Sequence, residues 1–186
     1  MRITSIFLAC VSIALSTPVW ADKYSDAINN FRKAEITRPY FTSAYGYAVF
    51  PTIGKGAIGV GGAAGKGHVY QGGKFVGEST LVQLSVGFQL GGQAYSQIIF
   101  FQDKRAFDEF TSDSFEFGAD ASAVAITLGA NAQAGTTGIS ASVSTNVEHG
   151  KTVAQYYKGF AVLTLAKGGL MYQAALAGQK YVFKRK

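Results

Sequence analysis

The sequence predicts a β-rich α+β fold, an antiparallel sandwich or a closed, barrel-like sheet, with an N-terminal amphipathic helix and one short helix near 103–110. Three observations carry that expectation. Glycine supplies 23 of the 186 residues, aromatics 13% and charged residues only 15%, a mixture that suits close-packed strands joined by tight turns and lacks the Glu, Lys and Leu of a helical bundle. Only 22–44 shows a sustained helical period, and from residue 45 onward the apolar period shifts toward two. The length fits one ordinary domain with a sizeable core, not a two-domain enzyme.

The first segment reads as a leader. Arg2 precedes an apolar stretch from Ile3 to Leu15, and Val19 and Ala21 stand at −3 and −1 of a cleavage after Ala21. That stretch contains Thr and Ser and falls short of the roughly 20 residues a spanning helix needs. A secretory signal over 1–21 and a single domain over 22–186 are therefore expected, with a periplasmic or membrane-associated destination. Cys10 lies inside the leader, so the mature fold is expected to stand on packing without disulfides or thiol chemistry.

In 22–44, Asp22 can cap a helix in which Tyr24, Ile28 and Phe31 share a face, and Pro39 is expected to break it. Lys23, Arg32, Lys33 and Arg38 make the segment basic. It reads either as a helix packed on a sheet or as a membrane-surface element whose cations meet head groups while Phe31, or Tyr40 and Phe41, reach the acyl boundary. Residues 47–53 form a buried-strand run, a glycine-rich run over 54–67 reads as a turn region, and Gln71, Gly72, Gly73 and Lys74 read as a hairpin turn. Residues 81–90 end in alternation, while Ile98, Ile99, Phe100 and Phe101 suit a strand covered on both faces. Asp103 can cap a short helix through Phe107 and Phe110, and 115–125 alternates again. The span 129–147 is rich in Gly, Ala, Ser and Thr and fits strands at close backbone approach. Residues 159–166 and 181–183 supply two more strands. A weak repeat relates 46–50 to 159–163, with Val69 and Tyr70 matching Val182 and Phe183 at the same offset, as expected of one strand, glycine-turn, strand unit used twice.

Several chemistries are excluded. Gly54, Gly56 and Gly59 match a dinucleotide fingerprint, but residues 60–67 are poor helix formers where a crossover helix must open. There is no nucleophile elbow, and His68 and His149 are the only near-neutral bases, too far apart in sequence to suggest a zinc motif. Asp103, Asp108, Glu109, Asp113, Glu116 and Asp120 match no calcium loop and read as a solvated acidic face. The expectation is a protein that is not an enzyme and needs no cofactor or metal.

The strings Ala44-Tyr-Gly-Tyr-Ala-Val-Phe50, Gly65-Lys-Gly67, Gly87-Phe-Gln-Leu-Gly-Gly-Gln-Ala-Tyr-Ser-Gln-Ile-Ile-Phe-Phe101, Gly118-Ala-Asp-Ala-Ser-Ala-Val-Ala125 and Tyr156-Tyr-Lys-Gly-Phe-Ala-Val162, in this order, resemble the SYLF domain over nearly all of 24–183. The resemblance implies a lipid-binding domain that recognises phosphoinositides and other anionic lipids. Eukaryotic members also bind actin filaments and accompany SH3 or FYVE domains; this chain looks like the stand-alone secreted bacterial members. Actin is then a partner only on delivery to a host. By position the resemblance places lipid contact on the segment holding Lys23, Phe31, Arg32, Lys33, Arg38, Tyr40 and Phe41. The charge of +6, one less without Arg2, and a second cluster of Lys180, Lys184, Arg185 and Lys186 fit an anionic phospholipid membrane as partner. For that tail, a frayed terminus is the plain alternative. Other readings are a small outer-membrane β-barrel, an envelope scaffold with a protein partner, and a polyanion binder; nucleic acid is not expected, because the strands are nearly free of charge.

Overall fold

The computed structural model describes residues 22–58, 60–85, 93–118, 125–128, 139–140, 156–167 and 178–186. The leader, the alternating half of 81–90 beyond Ser85, His149 and most of 129–147 lie outside the described residues.

Two helices open the described chain: α1 (Asp22–Lys33) and, after a 3-10 turn over Glu35–Thr37, α2 (Arg38–Ser43). The break falls at Ala34, ahead of its expected place at Pro39. Pro39 sits in the first turn of α2, where its missing N–H is not needed. Thr37 holds the corner: its side chain is fully buried and its hydroxyl is shared between the carbonyls of Phe31 and Ala34.

Among the described residues the strands are β1 (Gly46–Ile58), β2 (Val60–Gln71), β3 (Lys74–Ser85), β4 (Gln93–Phe101), β5 (Phe115–Glu116), β6 (Ala125–Leu128), β7 (Ile139–Ser140), β8 (Phe160–Lys167) and β9 (Gln179–Arg185), with α3 (Lys104–Phe110) between β4 and β5. They make one sheet in the order β5-β9-β3-β2-β1-β4-β8-β6-β7, antiparallel except for β6 on β8. The expected turn over 54–67 is instead two long paired strands: Gly54 faces Ala64 and Ile58 faces Val60. Glycine serves close approach there. A Cβ at Gly67 would fall 2.6 Å from the Phe50 ring, and one at Gly65 2.8 Å from Ile53. The hairpin at Gly72 and Gly73 is as expected, both with positive φ (54° and 78°), the backbone a two-residue primed turn requires.

The sheet is a curled half-barrel. Three strands separate β4 from β9, a span of roughly 19 Å in a flat sheet at about 4.8 Å per strand. Yet Gln97 Nε2 on β4 donates to Tyr181 Oη on β9 at 2.8 Å and to Gln179 Oε1 at 3.2 Å. Tyr181 Oη donates to Gln179 Oε1 at 2.5 Å, and Gln179 Nε2 reaches Tyr95 Oη at 3.1 Å. Burial pushes the Tyr95 and Tyr181 phenols far above their ordinary range, so both remain hydroxyls. Around this group the concave face is mostly apolar: Phe50, Ile53, Val69, Leu81, Ile99 and Phe101 fill it, with Ser79, Gln83 and Thr164 buried among them, and α3 covers it with Phe107 and Phe110. Asp103 caps α3 as expected, accepting from Ala106 N at 2.8 Å.

On the convex face α1 and α2 cover β1, β4 and β8, so 95–101 is buried on both sides. A membrane barrel leaves its outer wall bare and pairs its strands antiparallel; covered central strands and a parallel β6–β8 pair depart from that pattern. The two repeat copies do not pair with each other. Both flank β4, Tyr47 opposite Phe100 and Phe160 opposite Phe101. That one-residue slip sends equivalent side chains to opposite faces, Tyr47 outward and Phe160 inward.

Candidate functional site

Beyond β1 the helix layer reaches only the His68–Tyr70 end of β2, and outside that end the convex sides of β2, β3 and β9 are open, with buried residues turned in and exposed ones out. Where that open face meets the helices, six rings form a continuous row: Tyr24, His68, Phe75, Tyr70, Tyr47 and Phe41. Tyr24 stacks on His68 at 3.4 Å between centroids, His68 lies 4.5 Å from Phe75, Phe75 6.0 Å from Tyr70, Tyr70 5.0 Å from Tyr47 and Tyr47 5.5 Å from Phe41. Cations edge the row. Lys23 lies 5.1 Å over Tyr24, Arg32 4.9 Å over Phe41 and Lys186 5.4 Å over Phe75. Such contacts hold an ammonium or guanidinium beside a ring while leaving its charge toward solvent.

The basic segments of the two chain ends therefore meet on one face. The tail is not frayed: β9 pairs with β3, setting Lys184 opposite Glu78 and Arg185 opposite Gly77, and Lys186 N donates to Val76 O at 3.1 Å. Strand alternation puts Lys180, Lys184 and Lys186 on the open face and turns Arg185 toward the other. Lys33 and Arg38 are exposed at the far end of α1. Lys33 Nζ donates to Asn30 Oδ1 at 3.4 Å, and Arg38 Nε to the Arg32 carbonyl at 3.4 Å.

The expected aromatic contacts are only partly placed outward, and two need correction. Phe31 is 0% and Tyr40 5% exposed: both are core residues that seat the helices on Val49, Ile98, Phe100 and Leu163. Neither is available to an acyl layer in this fold, because α1 turns its apolar face to the sheet, where each large side chain gains roughly 1.5–3 kcal/mol from burial. Phe41 is half-buried and edge-on to Phe100 at 4.9 Å. Alternation also carried readable signals beyond the expected cluster: Lys66, His68 and Tyr70 on β2, Val82 on β3 and Val182 on β9 are spaced two apart from outward neighbours and share this face.

His68 is the titratable centre. Burial lowers its pKa, Glu78 opposes that shift, and Lys23 adds to it. The neutral imidazole stacks on Tyr24, with its Nε2 4.0 Å from Glu78 Oε1. The acids of α3 are locally balanced by i,i+4 partners: Lys104 Nζ lies 2.5 Å from Asp108 and Arg105 3.0 Å from Glu109. They sit with α3, which packs on the concave face.

The family described as Las17-binding protein actin regulator (Ysc84) matches residues 82–184. The chain belongs to this family. It is a SYLF-domain protein. It is also 28% identical over 163 residues to Beta cell expansion factor A of Aeromonas veronii, across 83% of this chain and 51% of that protein. The chain spans about half the length of that curated relative. The matched residues include the end of β3 from Val82 on, all of β4, α3 and β8 and nearly all of β9, and so both ends of the Gln97–Tyr181 brace, while α1, α2, β1, β2 and most of β3 precede the match.

Proposed function

We propose that this SYLF-domain protein is a non-enzymatic binder of anionic phospholipid in the bacterial envelope. It would be exported by the 1–21 leader with cleavage after Ala21, and its binding rests on charge. One observation supports this most: Lys23 and Arg32 from one chain end and Lys184 and Lys186 from the other lie on one face, edging an aromatic row in which Tyr24 and Tyr47 are buried and the other four rings partly exposed. Each Lys or Arg near an anionic surface contributes about 1 kcal/mol. Four acting together give roughly a thousandfold preference over a zwitterionic surface. Among the described residues no helix is long and apolar enough to cross a membrane. Actin, named in the family description, becomes a partner only where the protein reaches a host cell.

The test is co-sedimentation with vesicles of phosphatidylglycerol and phosphatidylcholine, against phosphatidylcholine alone, at low and high salt. The expected result is binding to the anionic vesicles only, abolished near 1 M salt, where the screening length falls to about 3 Å. Absence of binding at low salt would overturn the reading and favour an envelope protein partner.

A further inference from the structure

Two large apolar side chains are exposed among the described residues: Val82 on β3 at 44% and Val182 on β9 at 47%. Both occupy the open convex face. In the β3–β9 register Val82 lies opposite Lys180, and Thr80 opposite Val182, so the valines are diagonal neighbours roughly 7–8 Å apart at Cα. On the other side of β3, the register sets Ala64 of β2 beside Val82 and Lys66 beside Thr80. A small, flat apolar centre of Val82, Val182 and Ala64 thus carries exposed Lys66, Lys180 and Lys184 around it. The acids on this ground are Glu78, opposite Lys184, and Glu116, opposite Lys180.

We infer that an anionic bilayer docks flat against the convex side of β2, β3 and β9, with Val82 and Val182 at the centre of contact and α1 and α2 folded in place. This rests on the lipid reading above and assigns its geometry. Exposed apolar groups ringed by cations have the layering of an anionic bilayer, phosphates at the level of the ammonium groups and hydrocarbon just beyond them. A valine reaches that boundary and goes no deeper. Insertion through the helix segment would require α1 to leave the sheet, stripping Tyr24 and Phe31 together with the convex side of β1, β4 and β8. The sheet face needs no rearrangement.

The experiment uses the protein as purified from a secreting cell, with Cys10→Ser, and a single cysteine at Val182→Cys or, as control, at exposed Ser112→Cys just beyond α3. Each carries an environment-sensitive dye. With phosphatidylglycerol-containing vesicles the dye at 182 is expected to brighten severalfold and shift to the blue, and the dye at 112 to stay silent. The exposed pair Val82→Asp and Val182→Asp together should lower vesicle affinity at least tenfold while keeping the wild-type circular dichroism, and amide exchange in α1 should not change on binding. Sedimentation of the wild type with a silent dye at 182, or loss of α1 protection on vesicles, overturns the docking face and leaves the lipid reading standing. No sedimentation of the wild type overturns both, and equal capture by immobilised heparin without vesicle binding does the same in favour of a polyanion.

Discussion

Tyr181→Phe removes one oxygen and no ring, so its cost isolates the bonds that brace β9 against β4 across the concave face. The lost hydroxyl donates to Gln179 Oε1 at 2.5 Å and accepts from Gln97 Nε2 at 2.8 Å, in a side chain with no exposed surface. A net gain of about 0.5–1.5 kcal/mol per buried hydrogen bond puts the pair at about 1–3 kcal/mol, and phenylalanine is spared the dehydration of a hydroxyl, which centres the cost near 2 kcal/mol. The ring keeps its contacts with Phe50 at 5.5 Å and Phe110 at 5.1 Å, so no cavity term is added. With a urea slope of about 2 kcal/mol per molar, the unfolding midpoint should fall by about 1 M. Urea titration followed by far-ultraviolet circular dichroism measures it. Gln97→Leu removes the opposite partner, and the double variant should cost less than the two singles summed, because both delete the same bond. A wild-type midpoint in Tyr181→Phe, or strict additivity in the double variant, would refute the brace and leave ring packing to hold the curl.

Lys184→Gln with Lys186→Gln is expected to weaken binding to anionic vesicles about thirtyfold at low salt, at about 1 kcal/mol per cation; Arg185→Gln, whose side chain lies on the other face, should change co-sedimentation far less. Gly77→Ala would drive a Cβ into the Lys184 carbonyl and to 2.7 Å from the Phe183 ring. Overpacking of this kind costs about 1–3 kcal/mol, read as a drop of several degrees in melting temperature, with vesicle binding falling as the β3–β9 pairing shifts. His68 has a folded pKa below its ordinary 6.5, so the unfolded chain takes up the proton first as pH falls. Stability attributable to His68 is therefore full above about 6.5 and is lost as pH drops from there through the folded value. Subtracting the urea-midpoint profile of His68→Gln from that of the wild type should isolate this loss; a flat difference would mean the imidazole titrates as in the unfolded chain.

Local signals made much of the fold legible. The unbroken apolar run at 98–101 announced a strand covered on both faces, Gly72 and Gly73 a primed turn, and Asp103 a helix cap, because each follows from period or backbone preference alone. The glycine run at 54–67 misled for a physical reason: glycine marks turns, but it also marks strands that must pass under a large ring, and only the partner, here Phe50 over Gly67, separates the cases. The helix segment misled in a similar way. An amphipathic face reads identically whether it meets a sheet or a bilayer, so Phe31 and Tyr40 carried no sign that β4 would claim them. The meeting of residues 23–32 with 184–186 was legible only as two separate charge clusters, since no local pattern encodes a register between segments so far apart. What the tail did disclose was its alternation, which puts Lys180, Val182, Lys184 and Lys186 on one face and Arg185 on the other.

The chemistry of the open face follows from how far the helix layer reaches. Strands beneath α1 and α2 face protein on both sides, and selection for packing leaves them mostly apolar, as in 98–101, with Ser96, Gln97 and Thr164 as buried polar exceptions. Beyond that layer β2, β3 and β9 face solvent on their convex side, and polar or charged residues at most alternate positions keep that surface in water, with Ala64, Val82 and Val182 as the apolar exceptions. At the boundary neither rule holds alone. Tyr24, Tyr47 and Phe41 close the helix seam while His68, Tyr70 and Phe75 continue the row into solvent, and the cations that edge it lose little hydration because their stems lie along the rings. A binding surface built this way is fixed by two cores rather than ordered on contact, so association loses little conformational entropy. Its attraction is also mostly Coulombic and lies within a Debye length of the bilayer plane. Affinity should then track lipid charge and salt steeply and acyl composition weakly, whereas an inserted helix would show the reverse dependence.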